Sequence, residues 1–161
     1  MLSAKRIIIL EDEDLIRHLY RTLFVKDGFD VRAYKDADRI VEKAADFKAD
    51  IILTDLLMPK INGYETIKLL KENPATHDIP IMVISNLGDY VSQQKSVYLG
   101  ARDFVVKANL TPEQLTHRVR DVLADKIPTV KVDPKIIAFL KAEERAISRH
   151  AEMSPTERSY E

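Results

Sequence analysis

Apolar positions along this chain fall into five short runs separated by longer amphipathic stretches. The runs are residues 6–10, 29–34, 50–54, 79–85 and 103–107, rich in Ile, Val and Leu. Runs of this length with β-branched residues read as strands, and those apolar without alternation read as strands buried on both faces. Between them the spacing changes to helical. Leu15, Leu19 and Leu23, with Ile16 and Tyr20 beside them, predict a first helix that Gly28 closes. Asp36 is placed to cap a second helix carrying Ala37, Ile40, Val41 and Ala44. Tyr64, Ile67 and Leu70 predict a third, ending before Asn73-Pro74, and a fourth runs from about Asp89 to Leu99, closed by Gly100. Thr111-Pro112-Glu113-Gln114 has the form of a capping box with proline at the first helical position, and Leu115, Val119 and Val122 continue that fifth helix inward.

Five strands alternating with five helices predict an α/β fold with a parallel sheet covered by helices on both faces. The pattern changes at Lys126. Residues 126–134 read as an extended linker containing Pro128 and Pro134, and residues 135–152 as a helix with Ile136, Leu140, Ile147 and Ala151 on one stripe. Ser154 to Glu161 is polar and reads as a frayed end. The expected organisation is one domain over 1–125 and a linker with a helical extension over 126–161, too short to be an independent domain.

Composition narrows the classes. The chain has 161 residues, 45% apolar and 32% charged, with no Cys, so neither disulfides nor thiolate metal sites enter the argument. A formal net charge of -1 with no basic cluster argues against DNA binding. Ile7-Ile8-Ile9-Leu10 is far too short for a membrane span or a signal sequence, so a cytoplasmic protein is expected. His18, His77, His117 and His150 show no ligand spacing and read as surface residues.

The chemistry gathers at strand ends, where ligands of open parallel sheets bind. Glu11 and Asp12 follow the first strand, Asp55 ends the third, Ser85 the fourth and Lys107 the fifth. Taken singly, each has an ordinary reading: acids at a helix start, a turn acid, a strand-end hydroxyl, a solvated lysine. Together they make three carboxylates that repel unless a cation lies among them. All-oxygen ligands of this kind suit Mg²⁺, which takes one or two carboxylates plus phosphate oxygens. The hydroxyl and the ammonium would hold a phosphoryl group, with one carboxylate as nucleophile toward phosphorus.

Several residues carry a resemblance to one family: Glu11-Asp12 after the first strand, Asp55-Leu56-Leu57-Met58-Pro59 with Gly63 four residues on, Ser85, and Gly100-Ala101 leading to Phe104 and Lys107. Over about residues 5–124 the chain resembles the receiver domain of two-component response regulators. That resemblance implies a flavodoxin-like, doubly wound (βα)5 fold with strand order 2-1-3-4-5. It implies Asp55 as phosphoacceptor, with Mg²⁺ held by Asp12, Asp55, the backbone carbonyl of Leu57 and, through water, Glu11. Ser85 would bond a phosphoryl oxygen, Lys107 would pair with the phosphoryl group, and Phe104 would be the switch aromatic. The implied partners are a histidine kinase or phosphotransfer protein and a downstream protein; a homodimer is a further option.

Two positions depart from the family pattern. Ala108 follows Lys107 where the family has proline across a cis bond. A cis bond before a non-proline costs ~3 kcal/mol, so the 107–110 loop is expected in trans. Asn86 is larger than the Ala or Gly common after the strand-four hydroxyl and narrows access to the site. Leu57 and Leu87 flank the approach of a hydrolytic water and cannot orient it, which predicts slow loss of the phosphoryl group. Two other functions compete: a receiver-like interaction domain that is never phosphorylated, and a small aspartyl-phosphate phosphohydrolase. The second needs an acid-base Asp two residues after the nucleophile, where this chain has Leu57.

Overall fold

A computed structural model describes residues 3–153. The frayed end expected over 154–161 lies outside the described residues. The chain divides into two compact units, Met1–Val130 and Lys131–Glu161.

The first unit is built on five strands: β1 (Arg6–Leu10), β2 (Asp30–Tyr34), β3 (Ile51–Thr54), β4 (Ile81–Ser85) and β5 (Asp103–Val106). They pair in parallel in the order β2-β1-β3-β4-β5, the flavodoxin-like arrangement. Five helices connect them: α1 (Asp14–Lys26), α2 (Ile40–Phe47), α3 (Gly63–Glu72), α4 (Tyr90–Leu99) and α5 (Pro112–Leu123). Side chains alternate across a strand, so the sheet feeds two cores. Ile7, Ile9, Ile51, Leu53, Met82 and Ile84 pack with Phe24 of α1 and Leu115, Val119 and Val122 of α5. Ile8, Leu10, Ile52, Ile81 and Val83 pack with α2 and α3.

Helix starts follow local chemistry. The Asn62 side chain accepts from the Glu65 N–H at 3.0 Å, and the Asp89 side chain from the Ser92 N–H at 2.9 Å. Thr111 and Gln114 form the reciprocal capping box expected of them, with Pro112 at the first helical position. Pro80 lies just before β4, where its carbonyl still accepts the Ile52 N–H at 3.0 Å.

Two elements differ from the pattern reading. On α1, Leu15 and Leu19 are 75% and 53% exposed, and the inward face carries Phe24 with Tyr20 and Leu23 half-buried. Helix orientation is set by Phe24, which fills the core and meets Phe29 edge-on at 5.7 Å, rather than by the row of leucines. Helix α2 starts at Ile40, not after Asp36. The Asp36 carboxylate instead closes a tight turn by accepting the Asp38 N–H at 3.0 Å, and Arg39 takes a left-handed conformation that delays the helix.

The first unit runs past residue 125, because Ile127 is buried in the core and its carbonyl accepts from Arg102. In the second unit, α6 (Pro134–Glu152) begins at a capping Asp133 with Pro134 in its first turn, and exposes Phe139 and Ile147. No described helix is long and apolar enough to cross a membrane.

Candidate phosphoacceptor site

Parallel pairing brings the ends of β1, β3 and β5 to one edge of the sheet. Leu10 lies opposite Thr54, so the residues that follow each, Glu11 and Asp55, leave the sheet side by side. The Asp55 N–H donates to the Leu10 carbonyl at 3.1 Å, and the Glu11 N–H to the Tyr34 carbonyl at 3.1 Å. Both acids are therefore anchored by their backbones before their side chains are considered.

Asp55 is buried, with every carboxylate oxygen engaged. Its Oδ1 accepts from the N–H groups of Leu56 at 2.7 Å and Leu57 at 3.3 Å, and its Oδ2 accepts from the Lys107 ammonium at 2.7 Å. The same ammonium donates to Glu11 Oε2 at 2.6 Å. Glu11 Oε1 accepts the Glu13 N–H at 3.2 Å. Lys107 opens a 3-10 turn, Lys107–Asn109, and no cis peptide bond occurs among the described residues. The loop in which alanine replaces proline still delivers the ammonium to both carboxylates.

Close packing holds the Asp55 loop. A Cβ on Gly63 would lie 2.2 Å from the Asp55 carbonyl oxygen and 2.7 Å from the Leu56 Cα. The Gly63 N–H donates to the Leu56 carbonyl at 2.9 Å. Only glycine lets the start of α3 close on the strand end in this way.

Charge in the site does not balance. Glu11, Asp12 and Asp55 bring oxygens within 4.8 Å of one another, and Lys107 is the ammonium that pairs with two of them. Burial pushes the Glu11 carboxyl above its ordinary value, and the shared Lys107 offsets this only in part. Burial alone would lower Lys107, but hydrogen bonds to Asp55 and Glu11 hold it raised, so the ammonium stays charged. One ammonium shared by buried anions leaves negative charge in excess. A hard, oxygen-preferring divalent ion matches that donor set.

Other predicted residues take the following places. Ser85 is buried at the end of β4; its Oγ accepts the Leu87 N–H at 3.2 Å, which leaves the hydroxyl proton to donate. Leu57 and Leu87 are 60% and 36% exposed at the mouth. Phe104 lies on β5, opposite Val83, half-buried against the core on the α2 and α3 side. Asn86, with Lys107, Tyr20 and Pro112, lines an adjoining cleft of about 350 Å³. All four histidines are exposed.

Two residues near the site were not singled out from sequence. Tyr20 lines a small cavity with Glu11 and Asp55, and burial raises its hydroxyl above the ordinary value. Arg17 reaches back from the first turns of α1 to the carbonyls of Glu11 and Asp12. Helical side chains lean toward the N-terminus, so an arginine one turn inside α1 was the available signal.

The family model of the response regulator receiver domain matches residues 7–120. The chain belongs to the response regulator receiver domain family. Among curated relatives, Response regulator RR06 of Streptococcus pneumoniae is 36% identical over 101 residues, covering 63% of this chain and 45% of that protein. The phosphate regulon transcriptional regulatory protein PhoB of Klebsiella pneumoniae is 31% identical over 120 residues, 74% of this chain and 52% of that protein. The chain thus spans about half the length of these relatives. Among solved structures, chemotaxis protein CheY4 of Vibrio cholerae superposes with a TM-score of 0.70 at 22% identity, covering 74% of this chain and 99% of that one. The BeF3-activated N-terminal receiver domain of Klebsiella pneumoniae RstA gives 0.68 at 26% identity, covering 74% and 98%. The receiver domain brings with it a role in two-component signalling.

Proposed function

We propose that this receiver accepts a phosphoryl group on Asp55 from a histidine kinase or phosphotransfer protein, with Mg²⁺, and signals through protein contacts. The observation that carries the reading is the Lys107 ammonium at 2.7 Å from Asp55 and 2.6 Å from Glu11, with the acidic group beside it. An Asp55 oxygen forms a bond to phosphorus as the donor's P–N or P–O bond breaks, and the donor keeps the electron pair of the broken bond. The backbone N–H groups of Leu56 and Leu57 hold Oδ1 and so aim the carboxylate. Lys107 and Ser85 donate to phosphoryl oxygens. Such chemistry is mainly positioning and neutralisation of charge.

Glu11, Asp12, Asp55 and the Leu57 carbonyl are the groups assigned to Mg²⁺. When bound, the ion would neutralise charge on the phosphoryl oxygens. Phe104 is assigned the switch. Residues 1–125 serve as the phosphoacceptor module, and 126–161 as an extension available for a downstream protein or a second copy. The absence of a basic cluster in the sequence supports protein contacts over DNA as the output. Leu57, in place of an acid-base carboxylate, weighs against a hydrolase.

Intact mass after incubation with Mg²⁺ and acetyl phosphate tests the reading. The expected result is one added phosphoryl group, absent in Asp55→Ala. No adduct from either acetyl phosphate or a histidine phosphodonor would favour a receiver that acts without phosphate. Turnover of a phosphoester without an adduct would favour a hydrolase.

A further inference from the structure

The loop that carries Glu11 and Asp12 has little holding it from the helix side. The residue before α1, Glu13, makes no side-chain cap, so the usual means of fixing a strand-to-helix turn is missing. Two interactions replace it. One is the Glu11 Oε1 bond to the Glu13 N–H at 3.2 Å. The other is Arg17, whose Nη1 donates to the Glu11 carbonyl at 3.0 Å and approaches the Asp12 carbonyl at 3.4 Å. The Arg17 Nη2 pairs with Asp14 in the same first turn. The Arg17 side chain is only 22% exposed, while that of Asp14 is 89% exposed, so Arg17 lies against the loop and not in solvent.

These two interactions do not fare equally when a cation enters. A carboxylate drawn to a metal gives up donors that compete for its oxygens, so the Glu11 contacts to the Glu13 N–H and to Lys107 are the ones at risk. The Arg17 contacts are made to backbone carbonyls and survive. We propose that Arg17 is a positioning residue for the divalent cation, fixing the backbone from which Glu11 and Asp12 present their carboxylates. This rests on the metal reading of the site given above.

Positioning and simple electrostatics predict opposite effects at Arg17. Removing a guanidinium beside an anionic site should tighten every cation if charge alone mattered. Positioning predicts the reverse, and predicts it selectively. Mg²⁺ demands near-octahedral geometry, whereas Ca²⁺ tolerates irregular, flexible ligand sets. A loosened loop therefore harms Mg²⁺ more than Ca²⁺.

The experiment is titration calorimetry of Mg²⁺ and of Ca²⁺ on the full chain, comparing Arg17 with Arg17→Met and Arg17→Lys, alongside urea unfolding without metal. The expected result is Mg²⁺ affinity lowered about 5- to 10-fold in Arg17→Met, the size of one ordinary hydrogen bond, since the loop contact acts on the ion only indirectly. Ca²⁺ affinity should change less than 2-fold, and Arg17→Lys, which keeps the charge but not the fork, should restore little of the Mg²⁺ affinity. Equal loss for both ions would mark general damage to the fold and overturn the proposal. Tighter binding of both would mark Arg17 as a mere charge and overturn it too. Failure of the parent chain to bind either ion would instead remove the metal reading on which the proposal stands.

Discussion

Replacing Lys107 with methionine separates the two jobs of the ammonium. Its Nζ lies 2.6 Å from Glu11 and 2.7 Å from Asp55, and all three side chains are at most 10% exposed. At such distances and an effective dielectric of ~20, each attraction is gross about 6 kcal/mol, and most of that is offset by the cost of desolvating the charges. Removing one partner of a buried pair costs ~3–5 kcal/mol, because the remaining charge is stranded. The exposed Asp12 side opens the site to water, so the low end applies. Lys107→Met should lose about 3 kcal/mol without metal, which lowers Tm by roughly 6–12 °C for a chain of this size. Mg²⁺ should narrow the difference, to roughly half. A divalent ion held by the same carboxylates as the ammonium would be repelled by it, and ~1.4 kcal/mol of repulsion relieved would let the variant bind Mg²⁺ about tenfold more tightly. The assay is urea unfolding with and without Mg²⁺. A variant as stable as its parent without metal would refute the claim that Lys107 neutralises the buried carboxylates. An equal gain from Mg²⁺ in both proteins would refute the claim that ammonium and metal compete.

Three further outcomes are expected. Gly63→Ala should lose about 2–4 kcal/mol in urea unfolding, from overpacking against the Asp55 and Leu56 backbone plus weakening of the Gly63–Leu56 hydrogen bond; wild-type stability would mean α3 can move away freely. Glu11 titrates above its ordinary value in the folded chain, so its contribution to stability is intact below pH ~4.5 and is lost as pH rises through the raised folded value. Glu11→Gln removes that loss: its stability relative to the parent should be higher at pH 8 than at pH 4, and a pH-independent difference would contradict the sign. Phosphorylated protein should lose its phosphoryl group slowly, and Leu57→Asn or Leu87→Glu should speed that loss; unchanged rates in both variants would show that water is oriented by something else.

Much of the architecture was legible because strands and helices here have distinct periods. Unbroken apolar runs marked the strands, and the capping box at Thr111 placed the start of α5 to the residue. The candidate site was legible as a placement for the same reason: Glu11, Asp55, Ser85 and Lys107 each follow an apolar run, so a parallel sheet gathers them at one edge. What pattern could not supply was rotation and local turn geometry. Leu15 and Leu19 have perfect helical spacing yet face outward, because the bulk of Phe24 decides which side of α1 enters the core. Asp36 has the identity of a cap but closes a turn, since the left-handed Arg39 intervenes before α2. Arg17 left only the weak signal of an arginine one turn inside α1, because its partners are backbone carbonyls, which leave no mark in a sequence.

The central claim is that Asp55 itself receives the phosphoryl group. Borohydride reduces an aspartyl phosphate to homoserine, so the acceptor can be read by peptide mass spectrometry. After incubation with Mg²⁺ and acetyl phosphate, homoserine is expected at position 55, dependent on both reagents. Homoserine at position 12 instead, or a phosphorylated intact mass with position 55 unaltered after reduction, would contradict that claim.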